Sequence, residues 1–209
     1  MSNSWGLLVF LGAFHGVNPG MGWLFAVALG MQENRSAAVW RAIVPIGIGH
    51  ACAIAAVVLL GVLAGVVLPI DVLRWPIAAL LVGLGVVRLF RHRHPRWASM
   101  RIGLAGLALW SFLIATAHGA GLMVLPVWMN MAAANAHGAH VHGSATLASG
   151  LAATAVHSAS YLLVTAAIAW VVFHKLGVGL LRKAWINLDV IWAAALILSG
   201  GLTALMPPA

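Results

Sequence analysis

Six apolar runs of roughly membrane-spanning length, with nearly all the charge confined between them, constrain this chain more than any other feature. A transmembrane helix needs about 20 predominantly apolar residues. The runs extend from about Trp5 to Met31, Ala42 to Ile70, Trp75 to Phe90, Ile102 to Ala134, Ala145 to Phe173 and Ile186 to Met206. They are long enough for helices and too long for barrel strands, which predicts an all-α polytopic membrane protein. Composition closes the other classes. The chain is 63% hydrophobic and 7% charged, whereas a soluble domain is about 45–50% apolar and about 25% charged. Disorder needs low hydrophobicity and high charge.

The net charge of +8 does not point to nucleic acid, because the basic residues sit in short segments between apolar runs. Arg35 and Arg41 follow the first run. Arg88, Arg91, Arg93, Arg96 and Arg101 follow the third, and Lys175, Arg182 and Lys183 follow the fifth. The other side holds only Arg74. The positive-inside rule then predicts these loops cytoplasmic and both termini outside, and the expected location is a bacterial inner membrane. His92 and His94 belong to the basic loop. Trp5, Trp40, Trp75, Trp97 and Trp185 fall near run ends, as an interfacial belt requires. The first run lacks a basic leader and reads as a retained helix. Cys52, the single cysteine, permits no internal disulfide and reads as inert packing inside its run.

The two halves echo each other. Gly12-Ala13-Phe14-His15-Gly16 in the first run is answered by Ala115-Thr116-Ala117-His118-Gly119 in the fourth. Gly47-Ile48-Gly49-His50-Ala51 in the second is answered by Ala155-Val156-His157-Ser158-Ala159 in the fifth. Three spans per half is an odd number, so the halves are expected in opposite orientation, as in inverted-repeat transporters. The expected organisation is a first three-helix repeat over 1–90, a basic cytoplasmic loop over 91–101 and a second repeat over 102–209. At 1.5 Å per residue, His15, His50, His118 and His157 all fall in the middle of a core about 30 Å thick.

Those histidines are the candidate site. Neutral imidazole ligates nickel, cobalt, zinc and copper, and intramembrane ionisable residues are expensive unless they work. Proton relay, contact with a polar substrate and hydrogen bonding between helices remain open for the same residues. Around His15 the stretch His15-Gly16-Val17-Asn18-Pro19-Gly20-Met21-Gly22 is a poor straight helix: Pro19 removes an amide donor and Asn18 can satisfy freed groups. The span either breaks here to line a cavity or packs closely through small residues. His118-Gly119-Ala120-Gly121, followed by Pro126, repeats this more weakly. Met21, Met123 and Met129 offer thioethers or plain packing. Thr154, Ser158, Ser160 and Tyr161 surround His157 and either line a polar path or bond to their own helix. The acids Glu33, Asp71 and Asp189 lie at loops or run ends, away from the midplane. Between the fourth and fifth runs, His137, His140 and His142 form either an external metal-collecting site or a merely polar loop.

This layout of three plus three spans, with a His-Gly element in the first span of each half, resembles the lysine-exporter-type superfamily. That group includes nickel/cobalt transporters, hydrogenase/urease accessory membrane proteins, sulfite-exporter-like proteins and cytochrome-c-biogenesis thiol carriers. The segment His15 to Gly30 is similar in layout to the first-span motif of the nickel branch, which carries an Asp-His pair where Met21-Gly22 stand here. The resemblance implies transport rather than enzymatic catalysis. The expectation is a transporter of a small ion, a transition-metal cation (nickel, cobalt, copper or zinc), with His15, His50, His118 and His157 as ligands and His137, His140 and His142 as collectors. Asn18, Pro19, Ser158 and Tyr161 would line the substrate or proton path. The lipid bilayer and a small ion or solute are the expected partners, with a homo-oligomer allowed. Two alternatives stay open: a haem-binding redox protein with facing histidines, and a proton-coupled exporter of a small organic or anionic solute.

Overall fold

The computed structural model describes residues 2–67, 70–90, 103–136, 144–176 and 188–205. The basic loop, His92, His94 and the collecting histidines His137, His140 and His142 lie outside the described residues. Among the described residues the chain is helical and contains no strand. The helices are α1 (Ser2–Val17), α2 (Trp23–Glu33), α3 (Ser36–Val67), α4 (Ile70–Phe90), α5 (Leu104–Ala117), α6 (Ala120–Ala136), α7 (Ser144–Val171) and α8 (Leu188–Leu205). A single 3-10 turn, Pro19–Met21, joins α1 to α2, and a wider turn, Val172–Leu176, extends α7.

Two of these helices are long and apolar enough to cross a membrane, over Ser36–Gly65 and Leu147–Lys175. A third span is added if α5 and α6, bent by 62° at their junction, count as one. The distribution of side chains fits a bilayer. Leu60, Leu163 and Leu202 are about two-thirds exposed, while His15, His50 and His157 are fully buried. An apolar exterior around a core of imidazoles and hydroxyls suits a lipid solvent, which imposes no penalty on exposed leucine and a large one on exposed charge.

Both breaks anticipated from the His-Gly elements are present, and they differ. In the first, α1 stops at Val17 because Pro19 has no amide hydrogen to continue it. Asn18 turns extended, and its side-chain oxygen accepts from the Gly20 amide at 2.9 Å, the ordinary N-cap bond. The freed Val17 carbonyl accepts from the Trp23 indole at 3.0 Å. Gly22 then adopts φ 145°, a conformation closed to residues with a side chain, before α2 begins. In the second break, α5 ends at His118, Gly119 takes a left-handed φ of 72°, and α6 starts at once. Pro126, which sequence pattern places at this break, instead lies inside α6 without ending it.

The packing runs crosswise between the halves of the chain. α1 lies mainly on α7 and α5 mainly on α3, while α3 and α7 also meet. Small residues allow both close approaches, as is usual between helices in lipid. A Cβ on Gly12 would stand 2.3 Å from the His157 carbonyl oxygen, and one on Gly49 would stand 2.1 Å from that of Ala108. Each contact is bridged by a serine hydroxyl: Ser160 donates to the Val9 carbonyl and Ser111 to the Ile46 carbonyl, both at 2.7 Å. α4 and α8 pair with each other. α2 and α3 form a hairpin closed by Asn34 in the left-handed region, whose amide caps the Gly30 and Met31 carbonyls. The hairpin also carries a surface ion pair, Arg41 to Glu33, at 2.6 and 2.7 Å. Cys52, expected in the core, is exposed on α3: the inward face there belongs to His50, Ala53 and Ile54, and residue 52 turns outward.

Candidate histidine centre

Three of the four histidines expected at the midplane meet. His15 arrives from the last turn of α1, His50 from the middle of α3 and His157 from α7. Their ring centres form a triangle with sides of 4.9 Å (His15–His157), 5.6 Å (His15–His50) and 5.6 Å (His50–His157). The crosswise packing builds this triangle. Gly12, one turn before His15, lets α1 settle directly on the backbone of His157, and the α3–α7 contact brings in His50.

Hydrogen bonding sets the chemistry of the rings. His15 Nδ1 lies 2.7 Å from the Leu11 carbonyl oxygen. A carbonyl oxygen only accepts, so Nδ1 carries the hydrogen and Nε2 of the neutral ring carries a lone pair. That Nε2 is buried without a hydrogen-bond partner, as are both ring nitrogens of His50. His157 faces the Leu8 backbone but makes no hydrogen bond of normal geometry through either nitrogen. Five buried polar atoms in one cluster therefore lack partners, and each such atom ordinarily costs about 1–3 kcal/mol. A cluster like this calls for something that binds it.

His118 stands apart from the triangle. It caps α5, and its Nδ1 donates to the Ile114 carbonyl at 2.9 Å, so its Nε2 also bears the lone pair. Its ring meets Trp192 of α8 edge-on at 5.6 Å. Trp192 meets His15 edge-on at 4.5 Å and lies flat on Phe14 at 5.0 Å. The expectation of four converging histidines thus resolves into three in mutual ring contact and a fourth in contact with Trp192, which also touches His15.

The expected path residues divide likewise. Asn18 is a buried cap and Pro19 the helix stop, both structural parts of the first break. Tyr161 is fully buried, stacks on His50 at 3.7 Å and donates its hydroxyl to the Met21 carbonyl in the 3-10 turn. That hydroxyl also faces those of Ser111 and Thr165. Ser158 and Thr165 hydroxyls are buried without a hydrogen bond of normal geometry, whereas Thr154 bonds back to the Gly150 carbonyl. Met21, Met123 and Met129 are buried in the core. Sequence reasoning missed Trp192, Ser111 and Thr165. The available signal was a tryptophan in the interior of an apolar run, away from the belt, and isolated hydroxyls in otherwise apolar stretches.

Among the described residues, no three His, Cys, Asp or Glu side chains have donor atoms set in ready metal-ligand positions. The one described carboxylate whose side chain is placed, Glu33, is at the surface with Arg41. Comparisons with protein-family models, with curated proteins and with solved structures each find no match.

Proposed function

We propose that this chain is an integral membrane transporter of a small cation, a transition-metal ion, which passes through the His15–His50–His157 centre. The observation that carries the proposal is the set of five unpartnered ring nitrogens sealed in the core of a chain with an apolar exterior. The size of the triangle supports it. With a metal–nitrogen distance of about 2.0–2.1 Å and a further ~1.1 Å to the ring centre, three imidazoles on one tetrahedral ion have centres about 5 Å apart. The sides here are 4.9 and 5.6 Å, close to that spacing. The His15 bond to a backbone carbonyl is the outer-shell contact that orients metal-binding imidazoles.

The wider architecture of the proposal is six spans in two inverted repeats, at the inner membrane with both termini outside. Support comes from the reciprocal packing of α1 on α7 and α5 on α3, the pairing of α4 with α8, and the two span breaks. At each break a histidine donates Nδ1–H to the carbonyl four residues earlier. Transporters of this kind hold their substrates where spans break near the midplane.

A proton carried by the same rings is the second reading, favoured by the lone pair of His15 Nε2 directed into a cluster without a described carboxylate. Haem fits less well. Axial imidazoles of one haem stand about 6 Å apart across the macrocycle, and here the rings are closer and a third touches both. The test is flux into proteoliposomes of untagged protein for Ni2+, Co2+, Zn2+ and Cu+, and for protons after a pH jump. Saturable metal flux that disappears in His15→Ala and His50→Ala supports the proposal. Proton flux with no metal flux replaces it with the second reading, and neither flux refutes both.

A further inference from the structure

The α4–α8 pair packs closely on itself and joins the rest of the core through side chains, Leu81, Trp192 and Leu196 among them. Its two helices approach backbone to backbone: a Cβ on Gly85 would stand 2.9 Å from the Ala193 carbonyl oxygen, and one on Gly200 the same distance from that of Ala78. No other two helices meet over a longer stretch among the described residues. Towards the remaining helices the pair makes only slight backbone contacts, chiefly with α6 and α3. Side chains bridge that gap. Leu196 and Leu84 reach towards Gly119, and Trp192 reaches furthest, into the histidine centre.

Trp192 is 2% exposed and makes four specific contacts. Its face lies on Phe14, the His15 and His118 rings meet it nearly at right angles, and its indole nitrogen donates to the His118 carbonyl at 2.9 Å. That carbonyl belongs to the residue just before Gly119, the left-handed joint of the second break. One side chain of this helix pair therefore touches the triangle, the fourth histidine and the joint between α5 and α6. His118 is 8% exposed where His15, His50 and His157 are 0%.

We propose that Trp192 is the gate of the ion path: its indole closes the three-histidine centre from His118, and a tilt of the α4–α8 pair that withdraws it makes His118 the next station. Withdrawal breaks the bond to the His118 carbonyl and releases the joint at Gly119, so opening the gate and moving α6 become one event. Elements that move as rigid units about a fixed midplane site are the usual basis of alternating access. The inference rests on the transporter reading above.

The experiment uses the untagged full chain in liposomes with Co2+ as probe, whose visible spectrum reports nitrogen ligation. Trp192→Ala is expected to keep Co2+ binding within about threefold of wild type while leaking Co2+ down its gradient at least about tenfold faster, because the closed state no longer seals. Trp192→Phe keeps an aromatic plug and loses only the indole donor, so a smaller rise, of about two- to threefold, is expected. It also reports should the alanine variant fail to fold. Trp192 fluorescence, taken as wild type minus Trp192→Phe, should be quenched by Co2+, and the quenching should vanish in His15→Ala. Wild-type binding and tightness in both variants overturns the gate. Wild-type protein that binds no Co2+ overturns the metal reading instead. The gate is then decided by proton flux: a leak in Trp192→Ala sustains it and a seal equal to wild type overturns it.

Discussion

The two helix breaks share a sequence mark and are built differently. The first is a braced structure. Asn18 caps the turn, the Trp23 indole occupies the Val17 carbonyl, Tyr161 holds the Met21 carbonyl, and His15 beside it is fully buried against two other histidines. The second is a joint of two residues, His118 and Gly119, bent by 62°, where His118 bonds back to the Ile114 carbonyl and the Trp192 indole of a neighbouring helix pair donates to the His118 carbonyl. A binding site needs rigid support around its ligating groups, and a moving part needs few attachments. In this account, then, the first break holds the ion and the second lets it pass.

The comparison breaks most directly at the histidines themselves. Losing an outer-shell partner already costs 10–100-fold in metal affinity, so His15→Ala is expected to weaken binding by more than about 100-fold, while His118→Ala changes binding little and slows transit. Isothermal titration paired with a flux assay reads both, and equal losses of affinity would erase the distinction between the breaks. The glycines come next. At Gly22 an added Cβ meets Ile46 Cγ2 at 2.5 Å as well as a forbidden φ, so Gly22→Ala should cost about 3 kcal/mol or more in a detergent-unfolding measurement. Gly119→Ala, left-handed and 3.1 Å from the end of a leucine side chain, should cost about 1–2 kcal/mol.

Smaller effects sharpen the same contrast. Asn18→Ala removes the cap of the first break and should cost about 1 kcal/mol. Tyr161→Phe removes the bond to Met21, keeps the ring on His50, and should cost about 1 kcal/mol or a little more because the carbonyl is buried. If either variant instead destroys Co2+ binding while thermal unfolding is unchanged, that residue touches the ion rather than bracing the turn. Smallest of all, Glu33→Gln at the exposed hairpin ion pair should cost no more than about 1 kcal/mol and leave flux unaltered, a control for changes remote from both breaks.

Much of this was legible in the chain. Run length and apolarity announced the helices, and Pro19 beside glycines announced the first break, with Asn18 as a residue able to satisfy freed groups. Imidazoles in the middle of apolar runs pointed to the cluster that His15, His50 and His157 form. Other features depend on which helix crosses which. Pro126 was the wrong marker for the second break, because a proline inside an apolar helix costs little when neighbouring groups donate to the freed carbonyl, whereas Gly119 permits the left-handed turn. Cys52 and His50 sit two residues apart on one helix and face opposite ways, which an apolar run without periodicity conceals. Trp192 lies in the sixth run and acts on the first and fourth, and only tertiary packing brings those together.

The central claim is that His15, His50 and His157 bind one ion without His118. It is tested most directly by metal content of untagged, detergent-purified protein carrying His137→Ala, His140→Ala and His142→Ala, loaded in turn with nickel, cobalt, zinc and Cu+. The account predicts about one ion per chain, lost when His15→Ala is added and kept when His118→Ala is added. No bound ion, or an equal amount in all three proteins, would contradict it.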